Sequence, residues 1–208
     1  MKRFLVLALT AVLPALAAAE TSNWTIDPAH SNSQFSVKHL VISTVRGQFG
    51  KTTGALRLDE KDLTKSAVEA TIDVTTIDTR VADRDTHLKS PDFFDAAKYP
   101  TMTFKSTKVE KAGDDKLKVT GDLTLKGTTK PVVLEVSYSP TAVTGMRGEL
   151  RLGFSATTKI NRKDFGLSWS KVVEAGPVVG DEVTIVIDAE TVKEQAKAAA
   201  AAKEEKKP

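Results

Sequence analysis

The stretch from Leu117 to Tyr138 constrains the fold of this chain more than any other. Leu117, Val119, Leu123 and Leu125 alternate with Lys118, Thr120, Asp122, Thr124 and Lys126. Successive side chains of an extended strand point to opposite faces, so this arm has one apolar face and one wetted face. Gly127-Thr128-Thr129-Lys130-Pro131 interrupts it with turn chemistry. Val132, Leu134, Val136 and Tyr138 then resume the pattern, with Glu135 and Ser137 opposite. The stretch predicts a β-hairpin with one side that has to be covered.

The same rhythm runs through most of the chain. Phe35, Val37 and His39 share a phase, as do Val45, Gly47 and Phe49; after Gly50 and Gly54 the phase shifts to Leu56 and Leu58. A glycine-marked shift of this kind predicts a bulge or sharp bend. Val68, Ala70, Ile72 and Val74 follow, then Met102 and Phe104, then Leu150, Leu152, Phe154 and Ala156, and last Val183, Ile185, Ile187 and Ala189. Between Asp78 and Asp95 the alternation lapses. Arg80–Lys89 is charged and helix-compatible, Pro91 ends it, and Asp92-Phe93-Phe94-Asp95 reads as a connecting loop. About eight long antiparallel strands with one apolar face each close into a barrel or pair as a sandwich, and the bend at Gly50–Gly54 favours closure. The expected fold class is therefore all-β, a closed antiparallel eight-stranded barrel with one short helical interruption.

With 208 residues the chain can bury a real core, and its 40% hydrophobic and 27% charged content is that of a soluble domain. Residues 1–19 read as a secretory signal peptide: Lys2 and Arg3 open it, Phe4–Leu16 is an apolar run short of the roughly 20 residues a span needs, and Ala17-Ala18-Ala19 precedes Glu20. Removing it lowers the formal net charge of +3 to about +1. No basic face with interleaved aromatics stands out, which argues against a nucleic-acid partner. There is no cysteine, hence no disulfide framework and no lipid-modified cysteine. An exported chain of this kind suits the periplasm, with no stable membrane span in the mature form. Residues 20–192 then form the barrel, and residues 193–208, rich in Lys, Ala and Glu, form a frayed or disordered tail.

Gly47, Ala70, Ser106, Gly121 and Ala156 lie in phase with the bulky residues. Small residues at such positions either answer the taper of a filled barrel or leave room for a guest, which in the near absence of inward ionisable groups would be apolar. The candidate ligand contacts are Phe35, Val37, His39, Phe49, Ile72, Phe104, Phe154 and Trp169, with His39 at a strand end where it could meet a polar head group.

Four blocks resemble the YceI-like proteins. They are Trp24-Thr25-Ile26-Asp27-Pro28-Ala29-His30-Ser31 with Phe35–His39; Arg84–Asp95 followed by Tyr99-Pro100; Val119–Gly127 with Lys130-Pro131-Val132; and Ile160–Leu167. They run in order across residues 24–192. The resemblance implies an exported, lipocalin-like barrel that binds a long isoprenoid or fatty lipid in its interior, as carrier, store or scavenger. It implies no cofactor and no catalytic residue, and it leaves the oligomeric state, a homodimer included, open.

The residues that look chemical are few. His30, His39 and His87 have no metal-ligand spacing. His30 reads as a turn residue and His87 as a polar clamp between helix and barrel rim. Asp83, Asp85, Asp92 and Asp95 read as caps and as partners of Arg80 and Arg84, or alternatively as acid–base groups of an enzyme acting on an isoprenoid or lipid through His87. No nucleophile elbow is present. Phe93, Phe94, Phe165 and Trp169 either plug the barrel end or gate it. A third alternative is a stress-response or adhesion module whose barrel is filled.

Overall fold

The computed structural model describes residues 21–174 and 176–194; the expected signal peptide and the expected tail beyond Glu194 lie outside them. The elements in chain order are β1 (Thr21–Ile26), β2 (Asn32–His39), β3 (Ser43–Phe49), β4 (Thr52–Asp59), β5 (Ala67–Asp73), β6 (Ile77–Asp78), α1 (Ala82–Lys89), β7 (Thr101–Lys111) and β8 (Lys116–Leu125). After these come β9 (Thr128–Tyr138), β10 (Val143–Thr144), β11 (Leu150–Asn161), β12 (Val172–Val173), β13 (Gly176–Pro177) and β14 (Val179–Lys193).

Eight strands close a ring in the order β11-β9-β8-β7-β5-β4-β1-β14, because β14 also pairs with β11 from Val192 to Glu182. Every pairing is antiparallel. One edge of β14 runs along β11, while its other edge is shared by β1 at one end and β2 at the other. The bend expected at Gly50–Gly54 explains this sharing. The chain breaks between Phe49 and Thr52, so β3 follows β2 while β4 follows β1. Gly54 is a regular rung of β4 opposite Ala70, and a Cβ there would stand 2.9 Å from the Ala70 Cα, so glycine permits the close approach of β4 to β5.

The hairpin expected over Leu117–Tyr138 is present, with a tighter turn. Thr128 to Pro131 stay in register with Leu125 to Asp122, and the turn is Lys126-Gly127, with φ of 49° and 74°. Two positive φ values in a row give the primed turn whose twist matches the flanking strands. Pro131 is tolerated in a strand because β9 meets β11 only from Glu135 to Tyr138, so its missing N–H breaks no ladder on that side. The helix also starts later than the charge pattern suggests: it spans Ala82–Lys89, with Val81 in extended geometry before it. The last strand reaches Lys193, one residue into the predicted tail.

Candidate functional site

The barrel is hollow. A cavity of about 720 Å³ runs through it, walled almost wholly by apolar side chains from the ring strands and from β2 and β3. Its signature is visible residue by residue. Ile72, Phe104, Leu123, Val132, Leu134, Ile185 and Ile187 line the lumen yet remain only half-buried, because open space instead of a facing side chain lies in front of them. A filled barrel would bury the same positions.

The glycines on the wall work differently from either expectation. A Cβ on Gly121 would meet the Phe104 ring at 2.6 Å, and one on Gly47 would meet the Phe35 ring at 2.5 Å. The missing side chains let these two rings lie against the sheet instead of projecting into the lumen. Ser106 has a third role, accepting the Val68 N–H at 2.9 Å beside a register shift in β7.

One end of the barrel is plugged. Phe93, Phe94, Phe165 and Leu167 are buried in a cluster with Phe49, Val74, Ile77 and Leu125. Lys126 at the β8–β9 turn donates to the carbonyls of Pro91 and Gly166, tying the hairpin to the plug. Arg162 fastens the plug from within. Its guanidinium donates to the carbonyls of Leu167, Trp169 (2.8 Å), Gly180 (2.8 Å) and Val179 (3.3 Å) and to Asp181 (3.2 Å). It is 3% exposed, and burial pushes its pKa down while Asp181 pulls it back. Sequence reading overlooked this residue, although the signal lies in the alternation: Arg162 is in phase with Phe154, Ala156 and Ile160 on an apolar face.

The other end is open. There the cavity wall includes the exposed residues Glu60, Ser139, Pro140 and Leu150. Glu60 pairs with Lys193 at 2.8 Å, and hydrogen bonds from Lys193 and Ser22 hold its carboxyl below the ordinary range. Lys193 in turn lies over the Trp24 ring. The polar groups inside are already satisfied: the Ser33 and Thr52 hydroxyls bond each other at 2.8 Å, and Thr191 donates to the Leu152 carbonyl. Among the described residues no buried side-chain nitrogen or oxygen lacks a partner, so a guest would be held by shape and apolar contact.

Of the candidate contacts, Phe35, Val37, Phe49, Ile72, Phe104 and Phe154 line the cavity. His39 and Trp169 do not. His39 is the last rung of β2, paired with Ser43 and Val179. Trp169 packs edge-on against His87 at 5.2 Å and tilted against Phe93 at 5.3 Å, on the outside of the plug. His87 bonds Asp92 at 2.9 Å, so its partner is not one of the helix aspartates. Asp85 likewise serves the backbone, accepting from the Thr79 N–H and hydroxyl, while Arg84 donates to the same threonine.

His30 bonds Asp27 at 2.9 Å on the outer wall, where Glu190 also converges. The His30 hydrogen bond, with help from the Ala29 N–H and Arg151, lowers the Asp27 carboxyl to a pKa of about 2. Arg151 already supplies the cation of this cluster, since it pairs with Asp27, Glu149 and Glu190. Glu190, Glu149 and Asp27 raise its pKa further.

A closed β-barrel with one sealed end, one open end and a hydrocarbon-lined interior is the architecture of a barrel that takes an apolar guest. The chain belongs to the YceI-like family, whose YceI-like domain matches residues 24–191. It is similar to the protein YceI of Escherichia coli, 38% identical over 196 residues, which is 93% of this chain and 99% of that one. Among solved structures it resembles BcnA of Burkholderia cenocepacia, at 26% identity and a TM-score of 0.70 over 79% of this chain and 98% of that one. A polyisoprenoid binding domain from Saccharophagus degradans shares the fold at 14% identity and a TM-score of 0.62, over 82% of this chain and 98% of that one.

Proposed function

We propose that this protein is an exported lipid-binding protein that holds a long apolar chain, an isoprenoid or a related lipid, inside the barrel as carrier, store or scavenger. The hollow apolar lumen carries the reading. Twelve residues of β11, at roughly 3.4 Å each and tilted about 40°, make a barrel about 30 Å deep. A space of that depth suits an elongated guest. Burial contributes about 0.8 kcal/mol per methylene, against roughly 4–15 kcal/mol for lost freedom on association, so chain length itself supplies affinity and selectivity. The related fold in Saccharophagus, described as a polyisoprenoid binding domain, supports an isoprenoid as the first guest to try.

Binding is favoured over catalysis because His87, the best-placed candidate base, stands on the plug and does not line the cavity. Among the described residues no helix is long and apolar enough to cross a membrane. The positively charged start at Lys2 and Arg3, the apolar run Phe4–Leu16 and the small residues Ala17-Ala18-Ala19 support cleavage after Ala19 and a periplasmic protein. Cell fractionation with N-terminal sequencing tests this, and a mature chain that keeps Met1 or stays in the cytoplasm would refute it. Native mass spectrometry of the purified protein tests the guest: a co-purifying or exchangeable long-chain lipid is expected. Ile187→Trp, which fills lumen from a half-buried wall position, should abolish occupancy while the protein stays folded.

A further inference from the structure

The cavity wall carries very little charge. Among the described residues that line it, only Glu60, Lys193 and Arg162 are charged at neutral pH. Arg162, at the plugged end, matches every guanidinium N–H with a backbone carbonyl or with Asp181, so it keeps no donor for a guest. Glu60 and Lys193 stand at the open end as a built pair. The Lys193 ammonium donates to Glu60 at 2.8 Å and lies 5.6 Å from the centre of the Trp24 ring. Ser22 bonds the same carboxylate, and the Trp24 Nε1–H donates to the Ser22 hydroxyl at 2.8 Å. The start of β1, the end of β14 and the residue after β4 thus fix one carboxylate and one ammonium at the mouth. An ammonium has three donors, and Glu60 is the one hydrogen-bond acceptor of Lys193 among the described residues, so N–H groups remain for another oxygen.

We infer that Glu60 and Lys193 select the head group of the guest: Lys193 donates to the oxygen of an uncharged head, a hydroxyl or a carbonyl, and Glu60 turns away a phosphate. The inference rests on the lipid-binding reading and adds to it the chemistry of the head. A guest whose tail fills the lumen leaves its polar end at the mouth, because an unpaired polar group among the apolar side chains deeper in is costly. At the mouth the carboxylate and the ammonium contribute no net charge. A phosphate reaching Lys193 would stand beside a carboxylate that two donors hold in place, and like charges at that range oppose each other. A neutral oxygen takes the spare Lys193 donors and leaves the pair intact. Such discrimination comes from the repulsive element as much as from the attractive one.

The test offers the full chain, stripped of bound lipid, an equimolar mixture of geranylgeraniol and geranylgeranyl phosphate, and reads occupancy by native mass spectrometry. The probes share one tail and differ in the head. The parent should favour the alcohol by about tenfold or more. Glu60→Gln should cut that preference about tenfold by admitting the phosphate, and Lys193→Met should lower occupancy by the alcohol about tenfold for want of its donor. Asp62→Asn removes a negative charge from the same end at a residue that does not line the cavity, and should leave the preference within about twofold of the parent. Equal occupancy by the two probes in the parent, an unchanged preference in Glu60→Gln, undiminished alcohol binding in Lys193→Met, or an equal shift in Asp62→Asn would each overturn the inference while leaving lipid binding in place. Binding of neither probe would overturn the lipid-binding reading and this inference with it.

Discussion

The two ends of the barrel are built from the same strands and finished in opposite ways. At the plugged end the connection from α1 to β7 and the segment after β11 carry aromatic residues, Phe93, Phe94 and Phe165, that are buried. A buried arginine there satisfies carbonyls that irregular backbone would otherwise leave unpaired. At the open end Glu60–Ser66, between β4 and β5, and Ser139–Glu149, between β9 and β11, leave Pro140, Val143 and Met146 on the rim. The difference sets an expectation: stability concentrated along the wall and at the plugged end, where the buried side chains of the largest cluster sit, and little of it at the open rim.

The sharpest way to break this contrast is to unfasten the plug. Arg162→Met leaves the carbonyls of Leu167, Trp169, Val179 and Gly180 without their donor, and about 3–5 kcal/mol of stability should be lost, read by urea denaturation. A loss below about 1 kcal/mol would mean that packing alone holds that end. Next in size is a matched pair of truncations. Phe165→Ala should cost about 3–4 kcal/mol, while Leu150→Ala at the rim should cost under about 1 kcal/mol; equal costs would erase the asymmetry.

A wall position between the ends should give a smaller effect with a functional readout. Gly121→Ala places a methyl 2.6 Å from the Phe104 ring and from the Lys105 carbonyl. It should cost about 1–3 kcal/mol and drive the ring into the lumen, lowering lipid occupancy in native mass spectrometry. Occupancy equal to the parent would show that ring placement does not keep the cavity open.

The smallest effect belongs to the outer wall. The Asp27 carboxyl titrates near pH 2 in the folded protein, well below its ordinary 3.8. Its contribution is therefore present above about pH 4 and is lost as the pH falls toward about 2. His30→Ala removes the largest cause of that depression, so the gap in urea midpoint between neutral pH and about pH 2 should narrow. An unchanged gap would remove Asp27 from the acid limb.

Much of this was legible in the chain. Alternation at Leu117–Tyr138, Val68–Ile72 and Val183–Ala189 located strands and their inward faces, because a period of two is a local property of extended backbone. The same logic placed Phe35, Val37, Phe49, Ile72, Phe104 and Phe154 on the inner side. It could not place Trp169, which has no strand to impose a phase, or show that His39 stands on the last rung of β2, away from the lumen. Arg162 was readable as an anomaly, a charge at an inward position, but its carbonyl partners come from Leu167, Trp169, Val179 and Gly180, which only folding brings together. The partners of His87 and Asp85 were hidden for the same reason: each bonds across a turn whose path no pattern encodes.

By itself, then, the sequence determined an all-β chain of long amphipathic strands, bent at Gly50–Gly54 and interrupted once by a helix, with oil on one side. Tertiary structure decided that the strands close through β11 and β14, that the rings of Phe35 and Phe104 lie over glycines, and that one end is sealed while the other stays open. Alternation is set within a few residues, whereas the volume enclosed by a closed sheet depends on contacts between residues far apart in the chain, where a ring turned inward or laid flat separates a filled core from a hollow one.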